Sequence, residues 1–530
     1  MKRLLILICI CFEGLFMLHA QSLSSLQRSF KVLGYEPALN FQSSFEAKVF
    51  EEWQEKGVPD RFDLFVGIEP TVTDSLAAFA RNEMEALYRE LDFKGIRDKS
   101  LKRQVSMIRQ GIRKRFLKSF RIQANPLKAF TEKTYSNFSA CGLYALAFDH
   151  YGIPYQIWSD AILAAVVADP FGKDRGPIEI EPLDLTAFVP GFSQEEQLSY
   201  VKYLLFTGIV KQEDVTEKGH EELFYSYYLP EEDIFFHQLI GMLYLQAGMN
   251  DGIEKNIKRA IQQMEKAFLL RPSYAIKYQL YQLHLRNLSG SDYADWEEVQ
   301  SLIRLFRLLP HAKVREGVVQ SFVSITNEYL HKRDSLKYYE EIFQAFSTQM
   351  EDSILHKQLG YIYYQERANR AARNGDYLDA LDWIAKVDSF PIPEDMQKRI
   401  TFYVGKQVAL IKNCQDQSDF ISTAIARYSF LKSQVSLANI LIDCQLENIR
   451  ELFSRGEMNE GAQSVESFKQ LMLTQKGLMI DQQKAALAFY VGGSYYLENG
   501  DKAKAQQMLE LGLSYAVGHP LLLELEEKLR

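Results

Sequence analysis

The side chains in this sequence suited to chemistry are thiols, imidazoles and the carboxylates near them. Of five cysteines, Cys9 and Cys11 fall within the first twenty residues, which leaves Cys141, Cys414 and Cys444 in the body of the chain. Histidines stand at 19, 150, 220, 237, 284, 311, 331, 356 and 519. Thiol catalysis needs a cysteine with thiolate character, a histidine to take its proton and a carboxylate to orient that histidine. Cys141 lies in a run with helical character, but no histidine occurs anywhere in 151–219. His220-Glu221 begins like a zinc-protease helix, yet the residue four after the histidine is Phe224, so the second ligand is missing. His237 follows Glu231, Glu232 and Asp233, which read as acids opening a helix and serving its dipole rather than a metal. There is no Cys-x-x-Cys, no Gly-x-x-x-x-Gly-Lys and no glycine-rich phosphate loop, so neither a metal nor a cofactor is expected.

The elements that would position these groups differ between two parts of the chain. Its 530 residues suggest two to four domains, at roughly 150 residues each. Apolar residues make up 47% and charged residues 25%, which excludes wholesale disorder. Residues 1–20 read as an export signal: Lys2 and Arg3 precede an apolar run from Leu4 to Phe12, and Ala20 ends the segment. Cys9 and Cys11 each follow isoleucine, where a lipoprotein signal wants a small residue. Without Lys2, Arg3 and Glu13 the remainder carries 59 basic and 68 acidic side chains, a net of -9. Three thiols in that remainder allow at most one bridge and no disulfide scaffold. No later stretch has 18 uninterrupted apolar residues, so no transmembrane segment is expected there. The expected location is the periplasmic or extracellular side of a bacterial envelope.

One segment runs against the acidic average. Residues 94–121 hold eleven Lys/Arg against the single acid Asp98. Leu101, Val105, Ile108, Ile112 and Phe116 recur at helical spacing, which predicts an amphipathic helix with a dense basic face. That face is either balanced by the acidic stretch 46–92 or held against an anionic surface, with Arg113, Lys114 and Arg115 as its densest cluster. Nucleic acid is not expected as a partner of an exported chain with net negative charge.

From 235 onward the pattern is almost entirely helical. Small residues recur at close intervals in Gly241, Gly248, Ala260, Ala267 and Pro272, and again in Gly493, Gly500, Ala505 and Gly512. Asn374-Gly375-Asp376 with Ala380 echoes Asn499-Gly500-Asp501 with Ala505, the Asn-Gly making a turn and the alanine a close helix contact. This rhythm resembles the tetratricopeptide repeat, with degenerate copies over 310–350 and 400–470. The resemblance implies six to eight helical hairpins stacked into an α-solenoid over 235–530, with a protein or peptide as partner. An irregular helical bundle is the other packing such helices allow.

The segment 21–234, with a core at about 90–190, is expected to be α+β. A helix over 139–150 leads through Gly152-Ile153-Pro154 to strands at Tyr155–Trp158, Ala164–Ala168 and Ile178–Glu181, with turns at Asp169-Pro170 and Gly172. This succession, opened by Tyr-Ser-Asn-Phe-Ser-Ala-Cys at 135–141, resembles the transglutaminase-like superfamily, the fold of papain-type thiol chemistry. It is similar in particular to exported bacterial proteins that join such a domain to tetratricopeptide-like repeats.

Laid on that family's motif by the Gly-Ile-Pro turn, the nucleophile position falls on Asn137. The histidine position falls on Leu163 and the acidic position on Glu181. An amide is no nucleophile and leucine accepts no proton, so the resemblance implies a fold that has lost its catalysis. Cys141, one helical turn after Asn137 on the same face, is the fallback thiol for a residual acyl-transferase or peptidase activity. A small buried packing residue is its other reading. Asn137 and Glu181 are also candidates for lining a retained peptide groove. The whole reads as an exported binding or scaffold protein without catalysis, envelope-surface attachment through the basic helix being a further alternative.

Overall fold

A computed structural model describes residues 33–56, 59–161, 163–172, 176–178, 192–387, 392–474 and 477–530. Residues 1–20, where an export signal is expected, and Glu181 lie outside the described residues. The chain is mostly helical with small sheets, and it divides into two compact units between Glu351 and Asp352.

The first unit opens with α1 (Ser44–Lys56), α2 (Arg61–Val66), α3 (Asp74–Phe93) and α4 (Leu101–Arg115). Then come β1 (Ser119–Phe120), α5 (Pro126–Thr131), β2 (Thr134–Tyr135) and α6 (Asn137–Tyr151). β1 and β2 make a small parallel pair. A second sheet is built from β3 (Tyr155–Ser159), β4 (Ala164–Ala168), β5 (Gly176–Ile178) and, after α7 (Gln194–Phe206) and α8 (Gln212–Tyr227), β6 (Glu232–Ile234). Its order is β5-β4-β3-β6, antiparallel throughout, with Ser159 opposite Ala164 and Ile157 opposite both Val166 and Ile234. The unit continues through α9 (Phe236–Ile253), α10 (Ile257–Leu270), α11 (Tyr274–Leu288), α12 (Trp296–Leu308), α13 (Ala312–Ile325) and α14 (Leu336–Gln349).

Helix α6 is the centre of this unit because its sequence has no polar face. Every residue from Asn137 to Phe148 is buried. Ser136 caps it, accepting from the Ser139 amide at 3.2 Å while its own amide donates to the Ser139 hydroxyl at 2.8 Å. Gly152, at φ +64°, ends it in the left-handed conformation that glycine supplies. Helices α2, α4, α5 and α9 and strands β3 and β4 pack around it.

Across the boundary expected at 234/235, α9 packs on α6 and β6 pairs with β3. The helices from Phe236 to Gln349 belong with the sheet, and the expected array over 235–530 is shared between the two units. The strand expected at Ile178–Glu181 is described only as Gly176–Ile178, earlier by two residues at its start.

The second unit contains α15 (Ser353–Arg373), α16 (Tyr377–Ile384), α17 (Glu394–Leu410), α18 (Cys414–Arg427), α19 (Val435–Arg455), α20 (Met458–Thr474), α21 (Gln482–Glu498), α22 (Lys502–Tyr515) and α23 (Pro520–Leu529). The two Asn-Gly-Asp turns join α15 to α16 and α21 to α22. In each, the glycine is left-handed (φ +84° at Gly375, +79° at Gly500) and the aspartate caps the following helix, accepting at 3.1 Å from the Asp379 or the Lys504 amide. Ala380 and Ala505 are fully buried where the helices meet. Among the described residues no helix is long and apolar enough to cross a membrane.

Candidate functional site

Of the positions that the family resemblance singles out, Asn137 and Leu163 lie near the start of β4, with Cys141 beside them, while Glu181 is outside the described residues. Asn137 is the first residue of α6, and its Oδ1 accepts the Ala164 amide at 2.7 Å. One turn on, the Cys141 thiol donates to the Ala164 carbonyl at 3.3 Å. Both backbone polar groups of Ala164, at the start of β4, are thus held by successive turns of the helix. Leu163 precedes that residue in the β3–β4 turn, its amide donating to Asp160 Oδ1 at 2.7 Å.

Asn137 is 7% exposed and Cys141 fully buried, and burial alone pushes the Cys141 thiol far above its ordinary range, away from the thiolate that is the reactive form of a cysteine. His150, at the other end of α6 and stacked on Tyr88, is nine residues from Cys141, about 13 Å along the helix. His237 lies on α9 among the rings of Trp53 and Phe235. Burial, with Arg61 acting in the same direction, lowers its pKa to about 4.

The acids before His237 are not in a helical first turn. They flank or lie on the edge strand β6, where Trp158 Nε1 donates to Glu231 at 2.8 Å, Gln156 bonds Asp233, and Arg271 pairs with Glu232 at 2.9 Å. Phe224, in the place of a second zinc ligand after His220, is a core residue. Among the described residues no cluster of three metal-binding side chains occurs.

The deepest ionic cluster is one that sequence reasoning missed. Glu46 on α1 receives Lys266 Nζ at 2.6 Å and the Tyr244 hydroxyl at 2.7 Å on one oxygen, and the Gln42 amide at 2.7 Å on the other. Glu265 receives the Tyr35 hydroxyl at 2.5 Å and the Ala38 amide at 3.2 Å, with His284 Nε2 4.0 Å away. Burial lowers Lys266 against the opposing pull of Glu46, and burial together with Glu46 raises Tyr244. With both Glu46 oxygens bonded and the side chain buried, the cluster ties residues 35–46 to α9–α11. Partners more than 200 residues apart leave no local trace; the charged pair Glu265-Lys266 inside an apolar helix was the available signal.

The basic segment forms α4 as expected, with Ile108 and Ile112 buried. Arg115 is half-buried and pairs with Glu83 at 3.3 Å, and Lys94 pairs with Glu90 at 2.6 Å, so α3 balances part of the charge. Lys102, Arg103, Arg113 and Lys114 are exposed.

A cavity of about 400 Å³ lies between the hairpin α7–α8 and the helices α9 and α11. Its walls include Phe224, Tyr228 and Tyr278, with Met249 and Ile253 of α9 exposed at 37% and 75%. The rim carries exposed charges of both signs, Glu195 and Arg286. No family model matches the chain, and no curated protein is significantly similar to it.

Proposed function

We propose that the chain is an exported binding and scaffold protein without catalysis, in which a degenerate transglutaminase-like domain leads into a tetratricopeptide-like helical array that holds a protein or peptide. The bonding at Ala164 carries this reading. The nucleophile position is an amide and the neighbouring thiol is buried and neutral, and both are consumed in fastening α6 to β4. The positions are those of a thiol enzyme; the bonds are those of a structural clasp.

The cavity supports a binding role. It opens on α9 and α11, the first helices of successive hairpins, and combines aromatic walls with a polar rim, as binding sites commonly do. An amphipathic peptide segment fits that composition. A photo-crosslinking side chain introduced at Ile253, compared with one at Leu523 in the second unit, tests it in the native envelope. A discrete adduct formed only from Ile253, and lost when Met249→Trp fills the cavity, is the expected result. Identical adducts from both positions would refute the assignment. For the loss of catalysis, iodoacetamide at neutral pH should leave Cys141 of the folded chain unmodified, and rapid labelling there would overturn it.

Attachment to an anionic envelope surface through α4 is the second reading, favoured by the exposed Lys102, Arg103, Arg113 and Lys114. Arg115, engaged with Glu83, is removed from that surface.

A further inference from the structure

The second unit holds a pair of thiols that the proposed binding role does not use. Cys414 is the first residue of α18, and Cys444 lies in the interior of α19. One turn along α18 from Cys414, Gln417 Oε1 accepts the Cys444 thiol at 3.1 Å, so Cys444 faces the first turn of α18. Burial, with Cys414 acting in the same direction, raises the Cys444 thiol. The two sulfurs are unlike in access: Cys414 is half-buried and Cys444 is 4% exposed. The Lys484 ammonium is anchored at 2.6 Å on Asp443, the residue before Cys444. A partly exposed cysteine at a helix N-terminus near a cation, with a buried second thiol against it, is the arrangement of an attacking and a resolving cysteine. Cys141 has no such neighbour and bonds a backbone carbonyl.

We propose that Cys414 and Cys444 are a dithiol that closes to a disulfide between α18 and α19, by exchange with a small-molecule or protein disulfide. Cys414 releases its proton to solvent and its thiolate attacks one sulfur of the incoming disulfide. A bond forms between Cys414 and that sulfur, the incoming S–S bond breaks, and one thiolate leaves. Cys444 then gives up its proton and attacks the Cys414 sulfur, expelling the second thiolate. The two cysteines lose two electrons and two protons in total, and the incoming disulfide becomes two thiols. The product staples α18 to α19 across the connection Ser429–Ser433.

The test uses the reduced full-length chain and oxidised glutathione, followed by denaturation, alkylation with iodoacetamide and peptide mapping. The expected result is a peptide linking 414 to 444, with complete loss of alkylation at both and full alkylation of Cys141. The variant Cys444→Ser is expected to accumulate a stable glutathione adduct on Cys414, because the resolving thiol is gone. Continued alkylation of both cysteines in the wild-type chain would overturn the proposal. So would a glutathione adduct that persists on wild-type Cys414 without a 414–444 link, or a link from either cysteine to Cys141.

Discussion

Replacing Asn137 with alanine tests whether the clasp at Ala164 is structural. The Asn137 side chain is 7% exposed and Ala164 is 4% exposed, so the 2.7 Å bond between them is shielded from solvent. Asn137→Ala removes the acceptor and leaves the Ala164 N–H buried without a partner, which costs about 1–3 kcal/mol. The neighbouring Cys141 bond engages the carbonyl, not the amide, and cannot take over. A residue-level readout locates the effect, because global unfolding reports on both compact units together. Amide hydrogen exchange followed by peptide mapping isolates the effect. In Asn137→Ala the Ala164 amide is expected to exchange about 5- to 150-fold faster, the same free energy expressed as a ratio. Amides of α21 and α22 serve as the internal control and should not change. Unaltered exchange over 155–168 would refute the reasoning, since Asn137 would then be free of β4 and available to a ligand.

Four further outcomes follow from the same contacts. Lys266→Met strands the buried Glu46 carboxylate and should cost about 3–5 kcal/mol in chemical denaturation, whereas Glu46→Leu combined with Lys266→Met should recover most of that loss. His237, held at about 4 by burial and Arg61, has an ordinary value of about 6.5, so the unfolded chain takes the proton first as pH falls. Its contribution is complete above about pH 6.5 and lost on the way down to about pH 4, up to roughly 3 kcal/mol, and urea midpoints should lose that pH dependence in His237→Phe. Gly500→Ala forces a side chain to φ +79°, and a urea titration should register a loss of about 1–2 kcal/mol. Arg115→Glu should lower the thermal midpoint by opposing Glu83, while Lys114→Glu should leave it unchanged and weaken salt-sensitive binding to vesicles of anionic lipid if α4 is a surface anchor.

What could be read from the sequence was local. Gly152 closed the helix expected over 139–150 because a left-handed stop acts within one helix, whereas the cap at Ser136 and the start at Asn137 were not read. The Asn-Gly-Asp turns were visible for the same reason, their glycine and aspartate each serving a helix end only a few residues away. The strands at Tyr155–Ser159 and Ala164–Ala168 announced themselves by composition and by the turn between them. What was missed depends on distant partners. Glu231, Glu232 and Asp233 look like a helical first turn until Ile234 is seen opposite Ile157. Glu46 belongs to an acidic stretch that seemed matched to α4, yet its partner Lys266 lies 220 residues away. Contacts across 234/235 are of the same kind: periodicity changes there, and α9 packs on α6 while β6 pairs with β3.

The candidate site carries this distinction into function. A catalytic thiol and its base need exposed, mutually bonded side chains that can exchange a proton. A clasp needs the reverse: buried groups whose bonds end on the backbone and do not move. At Ala164 the helix presents an acceptor to the amide and a donor to the carbonyl, one turn apart, so both backbone polar groups of one residue are bonded to α6. Because α9 packs on that same helix and its far end lines the cavity, the clasp helps hold the wall against which a partner would bind.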